Sequence, residues 1–315
     1  MTHTLGPGDG GQTLAAMLRK LLPGQSWSQV RAAVAARRIK LNGELALDPA
    51  RRLKDGDAVE VLDQSQKLPQ AFATELAVRY LDEHVVVVEK PTGISTVRHP
   101  EEQSWSQRRR RLDPTLEDLL HRSIAKRLGQ PLRTLPRLRK VHRLDKLTSG
   151  LVAFARSAYA ERLLGHQFKA HTVDRQYLAV VLGRARPGTI RSWLVRDRGD
   201  GRRGSWPAEG SGKLAITHLE SVEPLGAYSL VTCRLETGRT HQIRIHLSEQ
   251  GHLVCGDPVY IIRKDGTRFD DKSGAPRLAL HAAVLGFTHP ATGERLRWEM
   301  PPPPDMADFV AGLKR

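Results

Sequence analysis

Between Thr13 and Leu22 the apolar residues Leu14, Met17, Leu18 and Leu21 recur at i, i+3, i+4 and i+7, one face of a helix. Pro23-Gly24 ends it. Val30 and Val34 make the stripe of a second helix within SWSQVRAAVAARR, with Arg31, Arg37 and Arg38 expected on its outer side. The period then drops to two. IKLNGELAL places an Asn-Gly turn between short strands, and LKDGDAVEVL places an Asp-Gly turn before an alternating strand. Two helices and a hairpin over residues 12–62 form a small unit. The Gly-rich residues 1–11 are expected to be a disordered tail, and 63–76, around DQSQKLPQAFAT, a linker.

From 77 to 300 the pattern is that of one larger α+β domain, with 301–315 as a C-terminal tail. HVVVVEKPTG reads as a buried strand closed by a turn, and SGLVAFAR as another. SAYAERLLGHQF has Ser157 as N-cap and Leu163, Leu164 and Phe168 as an apolar face. RQYLAVVLG, KLAITHLESV, YSLVTCRLETG and LALHAAVLGF add strands. Strands outnumber helices without regular alternation, which argues against a doubly wound sheet. LETGRTHQIRIHLSEQGH fits two templates. Ile243, Ile245 and Leu247 alternate as in a strand, while Thr240 as a cap and Gly251 as a stop frame a short helix. The helix is favoured because both ends are punctuated.

Charge changes the picture more than composition does. Fifty Lys and Arg against 34 Asp and Glu leave +16 over 315 residues, so a polyanion is the expected partner, nucleic acid before an anionic membrane. Half of that excess lies in 98–143, with 13 basic and 5 acidic residues including RRRR at 108–111. This basic insert (98–140) reads either as a solvated loop or as a phosphate-contacting arm, Arg108, Arg109, Arg110 and Arg111 at its centre. In the small unit Arg31, Arg37, Arg38 and Lys40 are the candidate nucleic-acid contacts. No stretch approaches the roughly 18 apolar residues of a membrane span, and no secretory signal opens the chain. Cys233 and Cys255 lack metal-site spacing, so no metal is expected, in a reduced cytoplasmic setting.

The chemistry concentrates at KVHRLDKLTSG, where Asp145 stands among Lys140, His142, Arg143 and Lys146. An acid so surrounded is either a structural ion-pair partner or a carboxylate kept ionised for a reaction, since a cation within about 4–6 Å favours the charged form. HRLDKLTSGL closely resembles the signature of the RNA pseudouridine synthases of the large-subunit ribosomal, HRLD-motif type. VVVVEKPTGI, RQYLAVVLG, LETGRTHQIRIHL, GDPVY and LALHAAVLGFTHPATGE resemble that family's other motifs in the same order. Residues 12–62 resemble the small αL-type RNA-binding fold of ribosomal protein S-four.

The resemblance implies a mixed, largely antiparallel sheet and an isomerase needing no cofactor. It implies Asp145 as the catalytic aspartate, Tyr177 as the ring against the target base, and Arg244 as the cation paired with the aspartate. Arg143 is implied near the stack vacated by the uridine, with His142 and Ile243 as further substrate contacts. The partner implied is RNA: ribosomal, or alternatively transfer RNA, bound by a monomer. A non-catalytic RNA-binding or assembly factor is the competing class. Whether the aspartate attacks sugar or base, or removes a sugar proton, stays open. Leu147 departs from the family, where many members carry an acid before TSG.

Overall fold

The computed structural model describes residues 1–6, 8–65, 76–199, 202–206, 211–263 and 265–314. The chain divides into two compact units, 1–70 and 71–315. Most of the expected linker, 66–75, lies outside the described residues.

In the first unit, strand β1 (Thr2–Thr4) precedes helices α1 (Leu14–Leu21) and α2 (Trp27–Ala35) and strands β2 (Ile39–Leu41), β3 (Glu44–Leu45) and β4 (Ala58–Val61). Thr13 caps α1, and Ser26 closes a capping box with Gln29 on α2. Asn42 and Gly43, both at positive φ, make the hairpin turn. Leu14, Leu18, Val30, Val34, Ile39 and Val59 form its core.

Residues 1–6 and 8–11 are not the disordered tail their glycines suggested. β1 pairs antiparallel with β4, Leu5 joins the core, and the Asp55 carboxylate accepts from the Gly8 and Gly10 amides. The open edge of β4 supplied partners that composition could not reveal. Arg37 also departs from expectation. It occupies the left-handed position that ends α2, with φ 61°, and is buried. The amides of Arg37 and Arg38 return to the carbonyls of Val34 and Ala33, a turn usually given to glycine.

The second unit is built on strands β5 (Val78–Leu81) and β6 (Val85–Lys90), helices α3 (Gln107–Leu112) and α4 (Leu116–Leu128), and strands β7 (Arg139–Lys140) and β8 (Ser149–Ala155). Helix α5 (Ala158–Lys169) and strands β9 (Asp174–Leu182), β10 (Gly188–Val195), β11 (Gly204–Trp206), β12 (Lys213–Leu225) and β13 (Tyr228–Leu235) follow. Helix α6 (Gln242–Glu249), strands β14 (Leu280–Thr288) and β15 (Arg295–Glu299), and helix α7 (Pro304–Leu313) complete it. Its described strands run β11-β10-β12-β13-β9-β14-β8-β6-β5, with β15 on β14 and β7 on β8. All pairs are antiparallel except β8 with β14, so the sheet is mixed and largely antiparallel.

The VVVV run of β6 is apolar throughout because both its faces are covered. Val86 and Val88 join the core that includes α4, and Val85 and Val87 the one beneath α5. Two segments read as irregular are helices. Within the basic insert, α4 starts at a Thr115–Asp118 capping box, stops at left-handed Gly129, and buries Leu116, Leu120 and Ile124. Each such side chain contributes about 1.5–3 kcal/mol. The tail expected at 301–315 contains α7, whose Met306 is buried with Val180, Leu225 and Ala279, while Phe309, Val310 and Leu313 pack alongside. Its spacing was legible; the run of four prolines at 301–304, the last of them the first residue of the helix, obscured the start.

Candidate active site

Asp145 lies on the loop between β7 and β8. The turn after β6 braces that loop on both sides of the aspartate. Thr96 Oγ1 donates to the Leu144 carbonyl at 2.8 Å and accepts from its amide at 3.1 Å. Beyond Asp145, the Lys146 carbonyl accepts from Gly93 N at 2.8 Å and from buried Lys90 Nζ at 3.1 Å. KPTGIST is thus a clamp on the HRLD loop, a role its turn residues alone did not disclose.

The cations nearest Asp145 in sequence are not its partners. Lys146 pairs with Asp113 at 3.6 Å, and Arg143 is exposed. Asp145 instead faces Arg244 Nη1 at 3.8 Å and His241 Nε2 at 3.9 Å. Arg244 projects from α6, the helix expected from its punctuation, although the N-cap is His241 rather than Thr240. His241 takes a left-handed φ of 59° and makes no side-chain cap; Nδ1 lies 2.8 Å from the Tyr260 hydroxyl.

The stronger partner of Arg244 is Asp257, in the GDPVY segment. Nε and Nη2 donate to the two Asp257 oxygens at 2.7 and 2.8 Å, and the amides of Val259 and Tyr260 donate to Oδ1 as well. Both residues are buried. Burial opposes both charges, yet their mutual attraction and hydrogen bonds raise the arginine pKa and lower that of the aspartate. The fork leaves Nη1 directed at Asp145. Asp257 is the site residue that sequence reasoning missed.

A cavity of about 400 Å³ opens over this arrangement. Asp145, Tyr177, Arg244, Arg143, Ile243 and His142 all line it, so the structure brings together every residue expected to act on or touch the target base. Asp145 is its one acidic lining residue among those described. Tyr177 points inward from β9, and burial raises its hydroxyl pKa. His142 is a wall rather than a free base: Nε2 accepts the Ala153 amide at 2.9 Å and the ring stacks on Phe168. Burial, with Arg175 nearby, takes its pKa down to about 3. Leu147 packs against the core and its carbonyl accepts from Thr92 Oγ1.

The remaining expected contacts are divided between the two units. Arg110 and Arg111 are exposed on α3, while the Arg108 and Arg109 side chains lie outside what is described. In the first unit Arg31 is exposed, Arg38 Nε donates to the Leu62 carbonyl, and Lys40 pairs with Glu60 at 3.8 Å.

Among the described residues, one carboxylate lines a cavity rich in cations, with the Tyr177 ring and the buried Arg244 guanidinium beside it on a mixed sheet. Residues 84–249 match the family model described as RNA pseudouridylate synthase, and 12–59 match the S4 domain. The chain is 34% identical over 309 residues to ribosomal large subunit pseudouridine synthase D of Nitrosomonas europaea, covering 96% of this chain and 85% of that protein. It is 37% identical to YlyB of Bacillus subtilis, named an uncharacterized RNA pseudouridine synthase, over 92% and 90% of the two chains. Among solved structures, human RNA pseudouridylate synthase domain containing 1 aligns with TM-score 0.54 and 25% identity, over 77% of this chain and 90% of that one. This chain belongs to the RNA pseudouridine synthase family. It is an isomerase acting on RNA, with an S4 RNA-binding domain ahead of the catalytic one.

Proposed function

We propose that the protein isomerises one or more uridines of large-subunit ribosomal RNA, with Asp145 as the catalytic carboxylate. Asp145 carries the reading, as the single described acid on the wall of a cavity that also presents Tyr177 and Arg244. The names of full-length relatives favour ribosomal RNA as the substrate. A uridine within a stacked helix hides its glycosidic bond, so the nucleotide is extruded at a cost of a few kcal/mol. Tyr177 receives the base face, Ile243 supplies apolar contact, and Arg143 at the exposed rim stands where the vacated stack needs a substitute. Asp145 assists cleavage between the anomeric carbon and ring nitrogen one. The uracil turns without leaving, the same sugar carbon joins ring carbon five, and as that carbon gives up its proton ring nitrogen one takes one up, so the product is an isomer of the substrate. Arg244, held by Asp257, keeps a positive charge beside Asp145 throughout.

Chemical mapping of pseudouridine across cellular RNA, with and without the gene, tests the reading. A ribosomal mark should vanish and return with wild type but not with Asp145→Asn, whose turnover on that RNA falls by roughly three orders of magnitude or more. A mark lost only from transfer RNA would overturn the substrate. No altered site would favour a binding or assembly factor.

A further inference from the structure

One wall of the cavity carries charge that the reaction above does not use. Arg175 precedes Tyr177 by two positions on β9, so both side chains leave the same face of the strand, and both line the cavity. Arg175 is only 6% exposed. Its Nη2 donates to the Glu236 carbonyl at 2.9 Å and more weakly to that of Leu235, while Nε is buried with no hydrogen-bond partner. Arg239 reaches the same cavity, its Nε donating to the Leu214 carbonyl at 2.9 Å. No carboxylate among the described residues pairs with either guanidinium. Burial, followed by repulsion from Arg239, lowers the Arg175 pKa. Lys169 also lines the cavity.

Gly238 lies against Arg175 and precedes Arg239: a Cβ there would lie 2.8 Å from Arg175 Nη1, so a side chain at this position would push the end of the guanidinium aside. A buried guanidinium without a counter-charge is costly, and a second one nearby adds to the cost. Uracil is neutral and cannot offset it. A phosphodiester carries a full negative charge and accepts parallel N–H bonds from a guanidinium fork. We propose that Arg175, with Arg239, forms a phosphodiester subsite that holds the RNA backbone next to the uridine occupying the cavity. The inference rests on the reading of the cavity as a uridine site and adds which part of the RNA this wall grips.

The test measures binding by the full chain to a five-nucleotide RNA with one central uridine. Two further versions replace the linkage on one or the other side of that uridine by a neutral methylphosphonate. Neutralising one of the two linkages should weaken wild-type binding roughly tenfold or more, the worth of a charge-assisted contact. Arg175→Gln should bind all three RNAs alike, with Arg175→Lys keeping part of the difference. Wild type that binds the charged and neutral RNAs equally, or binds none of them, overturns the subsite. So does Arg175→Gln with the full penalty intact, which would make Arg175 a strut for the turn at 235–238. Repeating the titrations with Asp145→Asn should give the wild-type pattern. Failure of the catalytic reading would show separately, as turnover by that variant.

Discussion

At the scale of single residues, the site rests on an asymmetry around Arg244: two short bonds to Asp257 and one longer approach to Asp145. Removing one member of a buried pair leaves the other charge uncompensated, typically at about 3–5 kcal/mol. Asp257→Asn should therefore lower unfolding free energy by that order and reduce turnover, with chemical denaturation and a modification assay as the checks. A loss below about 1 kcal/mol would mean that Asp145 alone holds the guanidinium. Because the folded Asp257 pKa is lowered, its contribution is fully present above the ordinary aspartate value near 3.8 and fades only as pH falls through the folded value. Three histidines, buried His246 and half-buried His142 and His241, act over a different window. Burial takes His142 to about 3, and His241 and His246 to about 4, from 6.5. Above 6.5 folded and unfolded forms are both neutral; below it the unfolded chain binds protons that the folded one refuses, so stability falls from pH 6.5 toward 4. His142→Phe should flatten that slope by up to about 1.4 kcal/mol per pH unit, one proton's share, while keeping an aromatic ring against Phe168. An unchanged slope in denaturation series at several pH values would exclude His142 as a contributor.

Among elements, the closest tolerance is between β8 and β14, the parallel pair that sets the end of the HRLD loop. Gly150 has φ 129°, and a Cβ there would meet the Ala282 carbonyl oxygen at 2.3 Å. Gly150→Ala should cost roughly 2 kcal/mol or more, since neither backbone can retreat without breaking sheet pairing. It should also loosen the Ser149 Oγ contact to His281 Nδ1, now 3.0 Å. A melting temperature within a degree of wild type would mean that the strands separate easily there. The sequence made β6, β8 and β9 legible because they are apolar runs, and α6 because Gly251 punctuates it. It gave away Asp145, Tyr177 and Arg244 through motifs that can be read locally. Asp257 was hidden because its pairing spans thirteen positions and becomes visible only as burial. In α4 the capping box and the Leu116, Leu120, Ile124 spacing were present, but arginines on either side outweighed them as a sign of solvation. Arg175 was masked in the same way, as one more cation in a basic chain.

For the whole molecule, the two units keep separate cores. The apolar cluster of the first runs from Leu5 to Val61, and no cluster of the second includes any of its residues. Deleting residues 1–65 should accordingly leave a catalytic domain that folds cooperatively, because the sheet, α4, α5 and α7 supply its core without help. What should change is RNA binding. The S4 domain offers exposed Arg31 with half-buried Arg38 and Lys40, whereas Arg37, turned inward at the end of α2, is the weakest candidate of the four. Each phosphate released from contact lowers the salt slope of log K by about 0.7–0.9. Loss of two or three such contacts should reduce the slope by roughly 2 and weaken binding most at low salt. Arg31→Ala with Arg38→Ala should reproduce much of that change in the full chain, while Arg37→Ala should instead lower the stability of the first unit. Binding isotherms over a range of salt concentrations decide the matter. A truncated protein with the wild-type slope would mean that the grip on RNA comes from the catalytic unit alone, through α3 and the cavity wall at Arg175 and Arg239.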